Sequence, residues 1–313
     1  ARAGSAAHMV FTTCIGCSVI GHRYFGDLAK GGKLGNQLFE YATLYAVAKK
    51  NNYQFVFSEE QMEYFKKCFL FRSALVVSNK DFDNKSIRMV HRTENPPLDL
   101  DVLNAESDTL FEGFFQSEEY FKDVGAELKS EIVYSPNLEN AAQIFMRQCW
   151  AQSPDHQIVS VHYRKGDYIN NQFPCLPIEY YINCFSQFDP TNTTFIVCSD
   201  ELQTAKTVFS ALNKISGNRY KIIFSPFSID VGPEFWDVEG EQVNLRTDYN
   251  PAIDMCVMSL SNHCIIANSS LSWWGSWFHD HPGKRILAPP IWFKDTKTAN
   301  SAISRKKWQI MEY

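Results

Sequence analysis

From Ile158 onward, short apolar runs rich in β-branched residues alternate with longer segments whose apolar residues fall three and four apart. That alternation is the pattern of successive βα units, and it leaves few folds open. The spacing predicts strands at Ile158–His162, Phe195–Cys198, Lys221–Phe224, Cys264–Ala267 and Arg285–Ala288. Amphipathic helices are predicted between them at Pro177–Gln187, Glu201–Ile215, Pro251–Asn262 and Leu271–His279. A parallel sheet covered on both faces follows. The first half repeats the theme less cleanly: a strand near Phe11–Ile15, a helix from Asn36 to about Lys50, strands near Tyr53–Phe57 and Thr109–Phe114, and a helix over Asn137–Gln152. The stretch SNKDFDNKSIRMVHRTENPPLDLD (Ser78–Asp101) is polar, contains Pro96 and Pro97, and reads as loop and irregular structure. A composition break at Ala151–His156 divides the chain into residues 10–150 and 151–313. The expected class is α/β, two Rossmann-like domains facing a cleft.

Composition removes several function classes. A chain of 313 residues with 45% hydrophobic content is large enough for one or two cored domains. A formal charge of -5 argues against a protein that coats nucleic acid, since counterion release needs a basic face. No apolar run approaches the roughly 18 to 20 residues that span a bilayer. The opening ARAGSAAHM resembles a vector-derived leader and is left out of the fold argument. Nine cysteines are too few for a disulfide-built fold. Cys198, Cys256 and Cys264 sit in apolar runs and read as buried thiols, and Cys14 with Cys17 forms a lone C-x-x-C without the second pair of a zinc site.

Ligands of an open parallel sheet bind beyond the carboxyl ends of its strands, so the residues that follow each strand matter most. After Ile158–His162 come Tyr163, Arg164, Lys165, Gly166, Asp167 and Tyr168: two cations and a glycine that can hold a phosphate, or a solvated turn in which Asp167 pairs with a neighbour. After Phe195–Cys198 come Ser199, Asp200 and Glu201, where Asp200 either caps its own helix or accepts hydrogen bonds from a ribose or base. After Cys264–Ala267 come Asn268, Ser269, Ser270 and the pair Trp273-Trp274; small hydroxyl residues opening a helix suit an anion, while the tryptophans read as core. Near the N-terminus, Gly31, Gly32, Lys33, Leu34, Gly35 and Asn36 open a helix; the loop is neither a Walker loop nor G-x-G-x-x-G, and Asn36 could cap the helix or reach across the cleft.

Together these loops resemble family 11 of the glycosyltransferases, the inverting α-1,2-fucosyltransferases. The matching segments are GGKLGNQLFEYA (Gly31–Ala42), FEGFFQSEEYF (Phe111–Phe121), VSVHYRKGDY (Val159–Tyr168), LPIEYY (Leu176–Tyr181), CSDE (Cys198–Glu201) and IDMCVMSLSNHCIIANSSLSWWGSW (Ile253–Trp277). The resemblance implies a GT-B fold, a GDP-fucose donor held mainly by the C-terminal domain, a galactose-containing glycan as acceptor and no metal cofactor. Carried over, Arg164 resembles the arginine that binds the donor pyrophosphate and stabilises the leaving group. Asp167 is the motif's only carboxylate and the candidate general base. Asn36, Gly35, His162, Lys165, Asp200, Asp254, Asn268, Ser269 and Ser270 make up the implied donor-binding set. Two departures stand out: the family's arginine pair is Arg164-Lys165 here, and HRYFGDLAK (His22–Lys30) is unlike the usual lead-in.

Two rival classes are weighed beside this one. A metal-dependent GT-A transferase would use an Asp-x-Asp motif, and Asp81-Phe82-Asp83 and Asp99-Leu100-Asp101 qualify formally, though both lie in the polar stretch rather than after an apolar strand. A non-catalytic nucleotide-sugar or glycan-binding module would keep the fold without turnover. Asn84-Lys85-Ser86 and Asn192-Thr193-Thr194 are accessible-looking sequons. They are compatible with the lumenal domain of a Golgi type II membrane protein that has lost its anchor, if the source is eukaryotic; otherwise the expectation is cytoplasmic.

Overall fold

A computed structural model describes residues 18–28, 30, 32–83, 89–92, 98–166, 168, 173–228, 235–238, 241–244, 250–293 and 303–313. The first half runs β1 (Val19–His22), α1 (Leu34–Asn51), β2 (Gln54–Ser58), α2 (Phe65–Cys68), β3 (Phe69–Leu70), β4 (Leu75–Val77), α3 (Asn79–Asp83), β5 (Met89–Arg92), β6 (Thr109–Glu112), α4 (Gly125–Glu131) and β7 (Val133–Tyr134). Five of these strands form one parallel sheet in the order β4-β2-β1-β6-β5, and β3 pairs with β7. The second half runs α5 (Pro136–Gln152), β8 (Gln157–Tyr163), α6 (Ile178–Phe185), β9 (Thr193–Ser199), α7 (Leu202–Ile215) and β10 (Lys221–Phe224). After a small ribbon of β11 (Phe235–Val238) and β12 (Glu241–Asn244) come α8 (Asn250–Leu260), β13 (His263–Ile265), α9 (Ser270–Phe278), β14 (Ile286–Ala288) and β15 (Gln309–Ile310). Its sheet is parallel throughout, in the order β10-β9-β8-β13-β14-β15.

The periodicity of the second half therefore reads true, with ends shifted by a residue or two. The polar middle stretch does not read as expected, because it holds α3, β5 and a 3-10 turn at Leu100–Asn104. β5 exists through its neighbour, lying parallel to β6 with Met89 opposite Thr109 and Arg92 opposite Glu112. Composition carries no trace of such a partner. The strand expected near Phe11–Ile15, with Cys14 and Cys17, lies outside the described residues; the strand that feeds α1 is β1.

One core cluster joins both halves, from Ile20 on β1 to Trp308 near the C-terminus, and a second fills the space between β8, β9, α6 and α7. The joint is α1 against α9. α1 is buried almost all round, as a helix between two layers must be: every residue from Leu34 to Ala48 except Asn36 is buried. Phe39 packs against both Trp273 and Trp274, with ring centroids 4.6 and 5.0 Å away, the two indoles themselves being 5.0 Å apart, and Phe121 stacks on Trp274. The tryptophans are core, as expected; each removes roughly 200 Å² from water, about 5 kcal/mol of hydrophobic stabilisation. Cys198, Cys256 and Cys264 are buried thiols. α5 packs on α8 of the second half.

Candidate active site

In each sheet the strand order reverses beside the first strand laid down. β1 lies between β2 and β6, and β8 lies between β9 and β13. Crevices beyond the carboxyl ends of strands at such reversals are where α/β sheets hold ligands. The two crevices here are brought to one place, because β1 leads into α1, β13 leads into α9, and the starts of these helices touch. A Cβ added to Gly35 would lie 2.5 Å from Ser270 Oγ and 2.6 Å from the Leu271 backbone nitrogen, so only glycine admits this approach. Ser269 is the extended residue before α9 and does not cap it with its side chain. The dipole and first N–H groups of α9 thus open beside the start of α1 and just after Asn268.

That loop carries Arg164. Its Nη1 lies 2.9 Å from Asp200 Oδ2, its guanidinium carbon sits 5.3 Å from the centre of the Tyr168 ring, and the Lys165 backbone N–H donates to Asp200 Oδ1 at 3.1 Å. Tyr168 in turn donates its hydroxyl to the Asn268 carbonyl at 2.8 Å, tying the loops after β8 and β13 together. Asp200 is therefore not the cap of its own helix: α7 begins after Glu201, with no side-chain cap. Instead it orients the guanidinium. A Cβ at Gly166 would lie 2.6 Å from Asp200 Oδ2, so the glycine lets the loop fold down onto that carboxylate. Asp167 lies outside the described residues.

The other expected residues fall around this centre in different ways. His162 is buried in β8, and burial, aided by Arg164, lowers its pKa to about 3, so it stays neutral. Asp254 on α8 is buried and accepts hydroxyl hydrogen bonds from Ser225 and Ser228; desolvation raises its pKa to about 7. Ser228 also accepts from the Ser199 N–H at 2.9 Å, so Asp254 holds the turn after β10 against the end of β9. Asn268 is buried and donates to the carbonyls of Pro174 and Trp292, so its side chain is held inside the fold, and Asn268-Ser269-Ser270, formally a glycosylation sequon, is shielded. In the Asp-x-Asp runs, Ser78 donates to Asp81, and Asp99 accepts from the Asp101 N–H at the start of the 3-10 turn.

Sequence reasoning missed the loop after β6. Gln116 Nε2 donates to Asn36 Oδ1 at 2.7 Å, so Asn36, in the first turn of α1 and not its cap, does reach across. Glu118 accepts a bidentate pair from Arg305, at 2.7 and 2.8 Å, and the indole N–H of Trp277 at 2.9 Å. Both lie in FEGFFQSEEYF, a segment that carries the family resemblance but from which no site residue was drawn; the further signal was the polar Gln-Ser-Glu-Glu run inside an aromatic segment. His22, at the end of β1, faces Gly113 O through Nε2 at 3.0 Å and accepts the Tyr24 N–H at Nδ1. Its neighbour Glu40, 3.8 Å away, is no ion-pair partner: burial keeps the acid protonated and drops the His22 pKa to about 4.

The sequence model of glycosyl transferase family 11 matches residues 18–210, from β1 through most of α7. This chain belongs to that family. An α-1,2-colitosyltransferase of Escherichia coli is 27% identical to this family 11 chain over 315 residues, covering 90% of it and 97% of the relative. The O-antigen biosynthesis glycosyltransferase WbnK of Escherichia coli is 30% identical over 141 residues, 43% of this chain and 38% of WbnK. Among solved structures, Arabidopsis thaliana FUT1 in complex with GDP superposes with a TM-score of 0.51 at 10% identity, over 87% of this chain and 70% of that one. The likeness is one of fold, and the fold of this family 11 glycosyltransferase is GT-B-like.

Proposed function

We propose that this chain is an inverting fucosyltransferase that moves L-fucose from GDP-β-L-fucose to the 2-OH of a galactose in a glycan. The observation that carries the reading is the convergence, at one crevice, of an arginine aimed by Asp200 and Tyr168 with the opening turn of α9. In this reading residues 151–313 hold most of the GDP-sugar and residues 10–150 mainly face the acceptor. As the bond from the anomeric carbon to the phosphate oxygen breaks, its electron pair stays on the diphosphate, where Arg164 and the N–H groups of α9 meet the growing charge. The acceptor oxygen bonds the anomeric carbon from the opposite face and inverts it. Its proton leaves to a base, for which Asp167 is the candidate carboxylate.

The colitosyltransferase relative supports a second donor, a nucleotide-activated colitose, moved by the same chemistry. The test is transfer to a galactose-terminated glycan in excess EDTA, with GDP-fucose and the colitose donor offered separately and together. The expected product is an α-1,2-linked fucoside, and preference for the other donor would exchange the sugar while keeping the reaction. Loss of all turnover in EDTA with recovery in Mn²⁺ would point to a metal-dependent transferase. GDP binding without transfer to any acceptor on a glycan array would leave a binding module.

A further inference from the structure

We infer that Gln116 is a positioning residue: by donating to Oδ1 of Asn36 it fixes that amide so that only N–H groups face the crevice, where they hold the diphosphate of a nucleotide. The inference rests on the donor reading above and adds to it the residue that sets the polarity of Asn36. A primary amide offers donors on one side and an acceptor on the other, and a half-turn exchanges them. With Gln116 as the donor, the 2.7 Å bond settles the choice, because turning Asn36 alone would set two NH2 groups against each other. The Asn36 Nδ2 lies over Gly32, and the preceding residue, Gly35, rests on the start of α9. Asn36 is also the one residue between Leu34 and Ala48 that is not buried.

The aim of Gln116 is itself enforced from both ends of its loop. Phe115, just before it, has φ +48°, a left-handed conformation that a bulky side chain adopts only where its surroundings impose it. Those surroundings are a closed aromatic box: the buried Phe115 ring meets His22, Phe111 and Tyr120 edge-on, with centroids 6.1, 6.0 and 5.6 Å away. His22 Nε2 holds the Gly113 carbonyl on one side. On the other, Glu118 is gripped by Arg305 and Trp277. Strained backbone maintained by such a ring of contacts marks a place where one side chain must point one way.

The test is a double-mutant cycle read by calorimetric titration with GDP and with guanosine. Gln116→Met should weaken GDP about tenfold, as expected when one donor to a charged group loses its orientation, and leave guanosine unchanged. Asn36→Ala should weaken GDP at least as much. The Asn36→Ala, Gln116→Met double variant should be no weaker than Asn36→Ala alone, because Gln116 acts through Asn36. Gln116→Glu, which accepts where Gln donates, should turn the Asn36 amide over and lose more GDP affinity than Gln116→Met, again with guanosine retained. Losses that multiply in the double variant, or fall equally on GDP and guanosine, would overturn the positioning role. Unchanged GDP binding by Gln116→Met would do the same while leaving the donor reading intact. A wild-type chain that binds no GDP would sink the donor reading itself.

Discussion

A guanidinium lowers a barrier only if it is already aimed when charge develops, and Arg164 owes its aim to Asp200 and to the ring of Tyr168. Arg164→Ala should cut kcat by about a hundredfold or more, roughly 3 kcal/mol of lost transition-state stabilisation, with an unchanged urea midpoint. Arg164→Lys should fail to restore it, since an ammonium cannot serve Asp200 and a phosphate with one planar fork. Gly166→Ala probes the same geometry from the other side: its Cβ must displace the Asp200 carboxylate, so kcat should fall about tenfold at nearly constant stability. Steady-state kinetics beside urea titrations separate these effects, and a Gly166→Ala enzyme with normal turnover would show that Arg164 needs no help from Asp200.

Between elements, the decisive contact is α1 on α9. It is built from Gly35 against Ser270 at the crevice end and from Phe39 packed on two tryptophans deeper in. Gly35→Ala asks a methyl group to share space with backbone atoms that cannot swing aside, so the two helix starts must part. Overpacking of this kind costs about 1–3 kcal/mol, and a drop of that size in unfolding free energy should accompany weaker GDP binding. Phe39→Ala should cost more, about 3–5 kcal/mol, by leaving a void against Trp273 and Trp274. Its effect on GDP affinity should be smaller than that of Gly35→Ala despite the larger stability loss, and the opposite order would mean that the crevice is not formed by these helix starts.

For the molecule as a whole, pH stability follows from the groups the fold buries. His22 and His162 are held neutral, at pKa values of about 4 and about 3 against a usual 6.5. As pH falls below 6.5 the unfolded chain takes up protons first, so their contribution, present above that pH, is lost down to about pH 3. Asp254 works oppositely: raised from 3.8 to about 7, it favours the folded chain at low pH, and that contribution is lost as pH rises through about 7. His22→Gln should therefore flatten the acid limb of urea midpoints measured from pH 7 down to pH 4, by on the order of 3 kcal/mol. A limb as steep as wild type would place the acid sensitivity elsewhere.

Burial periodicity is a local property, so the sequence alone determined the helices α6 to α9 and the strands β8, β9, β10, β13 and β14 of the second half, and the core role of Trp273 and Trp274, but not the ribbon of β11 and β12 or the edge strand β15. It also pointed to the loops after β8, β9 and β13 as candidates for chemistry. It also carried the family motif that names those loops. Other features needed the closed chain. β5 is a strand because β6 lies beside it, in a stretch whose composition says loop. Asp200 serves Arg164 and not its own helix, and Asn36 meets Gln116 across 80 residues of sequence. Each of these outcomes is a choice among partners of similar strength for the same polar group. Local sequence supplies the near partners, but the far ones come within hydrogen-bonding distance only after two sheets, α1 and α9 have packed. The tertiary structure decides which bond is made, because a buried polar group must be satisfied by whatever folding has brought beside it.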